Sequence, residues 1–248
     1  MTPAYFARVS PTYIENWNPV LYTLSIPQID IPLSLREAID LGTNITIYGT
    51  SFGSLQPITN LKNKIDAALI KFPEGAFIRL GSRSGKDSAY AQYNGLKVTH
   101  PYAGIKILTD ASERVAFDLR LALRFQYCPH IFVRQWLNIP AWAEFRCFMK
   151  NRKLIGISQY DCKNLGHCPE IAANQQQIKY AIEMFFQTFK IMSHLDDVVF
   201  DVFLKEIEKT TNPYFEVKLL ELNPLFDKTD ACLFDWQRND FDGSFRFL

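Results

Sequence analysis

Residues able to hold a cation gather late in the chain. Asp201 lies in VVFDVFLK, which starts at Val198, and Glu221 and Asn223 lie in FEVKLLELNPLFDKTD, which starts at Phe215. A carboxylate in so apolar a run is costly to bury without a partner. A divalent cation removes that cost. Two carboxylates and an amide carbonyl suit Mg²⁺, which takes few protein oxygens and completes its octahedron with water and phosphate. The same residues also fit an alternating strand whose acids face water. A second set of charges is cationic: Arg79, Arg83 and Lys86 in AFIRLGSRSGKDS, residues 76–88. Small residues there let backbone N–H groups approach an anion while the cations supply charge. The spacing is not that of a Walker A loop, and a solvated basic turn is the other reading. Arg146, in EFRCFMK beside Phe145 and Phe148, needs an anion, either a protein carboxylate or a bound phosphate.

These residues need strands to position them. The runs at 198 and 215 are rich in β-branched and aromatic residues and flank the polar stretch EIEKTTNPY, which reads as an antiparallel pair joined by a turn. A period of two puts Val199, Asp201 and Phe203 on one face, and Glu221 with Asn223 on one face of the partner. Pairing the strands can therefore converge Asp201, Glu221 and Asn223. Glu144–Tyr160 is the clearest hairpin, turning at Asn151-Arg152. Ile131–Trp136 reads as a strand running into the connector Leu137–Pro140, where unpaired backbone groups could meet an adenine edge. Helices are expected from Ser34, with Glu37 completing a capping box, and over 60–71, 110–128 and 171–192. Asn44–Tyr48 reads as a strand and Gly49–Gly53 as a turn without chemistry. Residues 1–35 read as irregular with a short extended piece or two.

Bulk composition narrows the class. The chain has 248 residues, 48% hydrophobic and 21% charged, as in an ordinary globular protein. Net charge is +1, so any site for nucleic acid or an anionic surface must be local. No run approaches a membrane span and the N-terminus lacks a signal-peptide layout. The 5 cysteines form no zinc spacing, Cys162, His167 and Cys168 included, and together with the missing signal they point to reduced thiols in the cytoplasm.

The order of these parts resembles that of an ATP-grasp protein. More narrowly, FIRLGSRSGKD, EFRCFMKNRKLIGISQY, VVFDVF and LLELNPLFDKTDACLFDW resemble, in order, blocks of the cell division cycle protein 123 family, across roughly residues 76–236. The resemblance implies an α+β fold in which two lobes hold ATP between two antiparallel sheets. It implies an accessory region at 1–71, a small lobe at 72–136 and a large lobe with the metal site at 137–248. It implies Mg²⁺ on Asp201, Glu221 and Asn223, with Glu221 where eukaryotic members usually have Asp. Arg79 takes the place of a phosphate-contacting Lys, Lys86 that of a family basic residue, and Arg83 lies in the same loop. Gln135, Trp136 and Leu137 match the adenine hinge, and Arg146 the hairpin arginine that reaches phosphates. Arg152 replaces a glycine common at the hairpin turn. The implied role is an ATP-dependent assembly factor for translation initiation factor 2, with a subunit of that factor as partner. The alternative is an ATP-dependent ligase, joining a carboxylate to an amine or acting on RNA. The neutral charge balance gives RNA little support, although Arg8, Arg36, Arg120 and Arg124 could form a patch.

Overall fold

A computed structural model describes residues 2–43, 56–207 and 215–248. The strand expected at Asn44–Tyr48, the turn at Gly49–Gly53 and most of the turn at 206–214 lie outside the described residues. The chain divides into two compact units. The first comprises Met1–Glu15 and Pro27–Leu137, the second Asn16–Ile26 and Asn138–Leu248.

In the first unit, strands β1 (Gln28–Pro32), β2 (Ala76–Leu80), β3 (Lys97–Val98) and β4 (His130–Gln135) form an antiparallel sheet in the order β1-β4-β2-β3. Alternation along β4 puts Ile131 and Val133 into the core with Ile78, Leu80 and Ile31. Helices α2 (Leu35–Thr43), α3 (Gln56–Leu69), α4 (Ala89–Asn94), α5 (Pro101–Thr109) and α6 (Glu113–Arg124) supply the rest of that core, while α1 (Pro3–Val9) packs on a separate aromatic cluster. The capping box forms as the spacing predicts: Glu37 accepts from the Ser34 N–H at 2.9 Å, and Ser34 Oγ accepts from the Glu37 N–H at 3.2 Å. Ser112 caps α6 through the Val115 N–H at 3.2 Å. Helices α1, α4 and α5 lie outside the expected set. The N-terminal stretch is not irregular throughout, because Pro3 begins α1 and Thr2 caps it. Helix α5 escapes pattern reading because Ile105, Ile107, Leu108 and Ala103 are all buried, which leaves no one-sided stripe.

The second unit is a five-stranded sheet in the order β8-β7-β5-β6-β9, from β5 (Glu144–Lys150), β6 (Lys153–Gln159), β7 (Val198–Glu206), β8 (Phe215–Asn223) and β9 (Phe245–Arg246). One face takes α7 (Pro169–Met192): Phe200 of β7 stacks on Phe189 at 4.3 Å and on Phe186 at 6.2 Å. On the other face Phe148 and Val199 pack with Phe234 and Ala231 of the C-terminal segment. With both faces covered, β7 reads as a continuous apolar run rather than an alternating one. The β5–β6 turn has positive φ at Asn151 (49°) and Arg152 (57°), the conformation of a type I′ hairpin turn. Arg152 occupies a position that favours glycine. Its guanidinium reaches Asp196 and the carbonyls of Lys190 and Ser193, so it closes the C-terminal end of α7. Residues 16–26 join this unit through Ser25, whose hydroxyl donates to the Leu219 carbonyl at 2.7 Å, and Asn18, whose amide donates to that of Met192 at 3.0 Å.

Candidate functional site

The register of the second sheet builds the acidic site. Arg146 of β5 lies opposite Asp201 of β7, and Asp201 opposite Glu221 of β8, so the three side chains form one row across three strands. The row continues through Ser158 of β6 to Arg246 of β9. A bulge at Leu220 of β8, between the pairs Asp201–Glu221 and Val202–Leu219, interrupts the ladder beside the site. Arg146 forks onto Asp201, Nε donating to Oδ1 at 2.8 Å and Nη2 to Oδ2 at 2.7 Å. The pair is almost dry, with the two side chains 6% and 1% exposed. Asn223 adds the third ligand type: its Nδ2 donates to Asp201 Oδ2 at 3.3 Å and to Glu221 Oε1 at 3.2 Å.

Burial and a neighbouring like charge both act on Asp201. Burial pushes the Asp201 carboxyl up to about 6; Arg146 pulls it down, and the adjacent Glu221 carboxylate pushes it up again. Asp201 and Glu221 thus lie close enough to act on each other, beside the guanidinium that Asp201 engages. Facing two carboxylates, the NH₂ end of Asn223 must point inward. A divalent ion between them would reverse that preference and draw in the carbonyl oxygen. The residues therefore fit Mg²⁺, with Asp201, Glu221 and Asn223 as its protein ligands. Among the described residues no group of three or more His, Cys, Asp and Glu could hold a metal, so a cage for a softer ion such as Zn²⁺ is not present there.

Arg146 answers the question that the sequence left open. Its anion in this structure is the protein carboxylate Asp201 rather than a phosphate. Its remaining nitrogen, Nη1, donates to the Asp230 carbonyl at 2.9 Å, and its guanidinium carbon lies 4.9 Å from the centre of the Tyr160 ring. Asp230 accepts in turn from Lys163 and from the Cys232 N–H. Partial burial of Asp230 works against its ionisation, but these donors hold it below the usual range. At the far end of the row, Ser158 Oγ accepts from the Leu233 N–H at 3.2 Å and Arg246 donates to the Leu233 carbonyl at 3.1 Å. The segment after Asn223 is thus stitched to the site residues. Tyr160, Asp230 and Lys163 were given no role from sequence; the signal was the KTDAC motif, whose acid follows the E-x-N pair closely. Cys147 and Cys232 are no nucleophiles: burial raises both thiols, Cys232 to about 12.

The first unit holds the cationic set. Arg79 is buried on β2, opposite Phe132, and its Nε donates to the Leu80 carbonyl at 3.0 Å. The loop after it is clamped rather than open. Arg83 Nε donates to Asp118 on α6 at 3.0 Å, and Asp87 accepts from Ser112 Oγ at 2.7 Å and from the Arg114 N–H at 3.0 Å. A Cβ on Gly85 would stand 2.2 Å from the Ile107 carbonyl oxygen, so only glycine lets the loop pass that backbone. The N–H groups of Gly81, Arg83 and Ser88 already donate to carbonyls. Lys86 is exposed. The expected hinge is also partly used: the Gln135 N–H donates to the Pro27 carbonyl at 2.9 Å and the Trp136 N–H to that of Gly75 at 3.1 Å. Both flanking chains run past the end of β4 and take those donors. Of the three residues, only Leu137 has an N–H that meets no backbone carbonyl among the described residues. The reasoning applied to Arg146 also fits Arg134, an arginine in the apolar run IFVRQW that the structure buries to 2% exposure.

Two sheets in separate α+β units define the fold, one of them carrying a carboxylate–amide cluster beside a buried arginine; the parallel pairing of β9 with β6 makes that sheet mixed rather than antiparallel as expected. The family model described as D123 matches residues 49–241, and the chain belongs to that family. Among curated proteins it is 29% identical over 185 residues to the "Translation initiation factor eIF2 assembly protein" of Xenopus laevis, covering 70% of this chain and 52% of the relative. It is also 29% identical over 215 residues to "Cell division cycle protein 123" of Yarrowia lipolytica, covering 77% and 54%. The chain thus spans about half the length of the curated relatives it matches. Among solved structures it resembles Cdc123 from Schizosaccharomyces pombe at a TM-score of 0.76 and 21% identity, covering 94% of this chain and 91% of that one, and so shares its fold.

Proposed function

We propose that this chain is an ATP-grasp protein that binds ATP with Mg²⁺ and serves as an assembly factor of the translation initiation factor 2 type in the cytoplasm. One observation carries the nucleotide part: two carboxylates and an amide converge beside a buried arginine. Bound there, Mg²⁺ would supply the positive charge that lets a triphosphate approach an acidic surface. Asp201, Glu221 and Asn223 hold the ion, and Arg146 fixes the orientation of Asp201. Arg79, Lys86 and Gln135 to Leu137 enter this reading by resemblance, with phosphate and adenine roles. Arg83 is engaged by Asp118, and its part is to hold the loop. The assembly role is supported by the printed names of the relatives, and the partner is then a subunit of that initiation factor.

Calorimetric titration with ATP, with and without Mg²⁺, tests the reading. Wild type should bind ATP only with Mg²⁺, and Asp201→Asn should lose that Mg²⁺-dependent binding. Binding that ignores Mg²⁺, or equal binding by the variant, contradicts it. Releasing the nucleotide after incubation separates the roles: intact ATP fits an assembly factor, whereas ADP or AMP would move the protein to the ligases.

A further inference from the structure

An aromatic and basic face of the first unit takes no part in the site above. There α1 lays Tyr5 edge-on to Phe117 of α6, ring centres 6.4 Å apart, and stacks Phe6 on Phe125 at 4.7 Å. Val9, Tyr13 and Leu121 close the cluster from beneath, while the four outer rings stay partly exposed. Along α6, Phe117, Arg120 and Arg124 fall at i, i+3 and i+7, which is one stripe of the helix. Both arginines are exposed, and the Arg124 guanidinium lies 5.8 Å from the centre of the Phe125 ring. Neither makes an ion pair among the described residues. Helix α1 has no acid and carries Arg8 in its last turn. Of the two acids on α6, Glu113 lies in the first turn and Asp118 is buried under Arg83.

We infer that this face docks an acidic segment of a partner protein. Two unpaired guanidiniums on adjacent turns match carboxylates spaced along an extended or helical chain, and each can fork onto one. Apolar ring surface between them supplies the anchor that exposed ion pairs lack. The occupant is a protein rather than a single-stranded nucleic acid because of how the rings lie. Phe6 and Phe125 each turn one face onto the other, Tyr5 packs edge-on against Phe117, and the Arg83 and Arg124 guanidiniums lie over the Phe117 and Phe125 rings, so these faces are engaged within the protein rather than set out as a platform for stacked bases. Charge across the unit agrees, with 14 Lys and Arg against 10 Asp and Glu. The inference does not depend on nucleotide binding.

Fluorescence anisotropy with a labelled peptide of repeated Glu-Glu-Leu tests it on the whole chain. Wild type should bind this peptide ahead of its Gln-Gln-Leu counterpart, and added salt should weaken binding. Arg120→Glu with Arg124→Glu should weaken binding by roughly tenfold or more, and the gentler Arg120→Gln with Arg124→Gln should move in the same direction with an unchanged circular dichroism spectrum. The charge-matched control Lys62→Glu with Lys71→Glu should bind like wild type. The assignment is overturned by no binding, by equal binding of the arginine variants, or by a labelled oligouridine that outcompetes the peptide.

Discussion

Each unit buries an aspartate against an arginine, and the two pairs are built to different ends. In the first unit, Asp118 is 4% exposed and meets Arg83 through a single nitrogen, while Arg83 keeps 32% of its side chain in solvent. One acid meets one base, and the pair joins a loop to a helix. In the second unit Arg146 and Asp201 are both buried and forked, and a second carboxylate and an amide crowd the same place. The first arrangement is complete. The second gathers two carboxylates and an amide in one place. The same contrast runs through the chain, whose near-neutral total hides 14 Lys and Arg against 10 Asp and Glu in the first unit, and 13 against 16 in the second. A buried pair alone thus says little about function; what distinguishes the two places is the second carboxylate and the amide gathered at Asp201.

The sharpest way to break this comparison is to remove one partner from each pair. Arg146→Ala strands a buried carboxylate beside Glu221 and should cost about 3–5 kcal/mol of stability in urea unfolding. Arg83→Ala leaves Asp118 near solvent that can reach it, and should cost about 1–2 kcal/mol. Equal losses would show that the two pairs do the same job.

Titration sharpens it further. Glu15 and Asp118 in the first unit and Asp201 in the second all lie above the ordinary carboxylate range, burial being the largest cause in each. A raised folded-state pKa means that the folded protein holds the proton more tightly than the unfolded chain. The stabilisation is therefore full below the unfolded value of about 4 and is lost as pH rises through the folded one. For Asp201 that window runs up to about 6. Urea midpoints should fall over this range. Mg²⁺ favours the ionised form and should flatten the part due to Asp201 while leaving that of Glu15. Asp201→Asn should abolish the Mg²⁺ effect, and Glu15→Gln should preserve it. A Mg²⁺ effect that survives in Asp201→Asn would place the ion elsewhere.

The smallest effect is expected at the hairpin turn. Arg152→Gly relieves a left-handed arginine, worth about 1 kcal/mol, but gives up the exposed contact to Asp196 and the carbonyls ending α7. The two should nearly cancel, leaving less than about 1 kcal/mol. A loss well beyond that would make Arg152 a principal anchor of α7.

Much of the second unit was legible in the sequence because its signals are local. Alternation in EFRCFMK and KLIGISQ sets the hairpin, and period-two reading put Glu221 and Asn223 on one face. The convergence with Asp201 followed from pairing two adjacent strands. What the sequence could not decide was the partner of Arg146, because either anion satisfies a buried guanidinium and only the register selects Asp201. Nor could it show Asn223 presenting its amide nitrogen, since that choice depends on which charges face it. The first unit was harder to read. Its expected hinge donors at Gln135 and Trp136 are taken by Pro27 and Gly75, which are distant in sequence. Arg83 finds its acid 35 residues away on α6, a pairing no local pattern announces.

The central claim is that the carboxylate–amide row is a cation site, and electron paramagnetic resonance of Mn²⁺, used in place of Mg²⁺, tests it most directly. Titrated into the whole chain with ATP, Mn²⁺ should lose free-ion signal until one ion is bound per chain, and Mg²⁺ should restore the signal. In Asp201→Asn with an unchanged circular dichroism spectrum, the signal should match that of Mn²⁺ and ATP without protein. Undiminished Mn²⁺ binding by that folded variant would contradict the account.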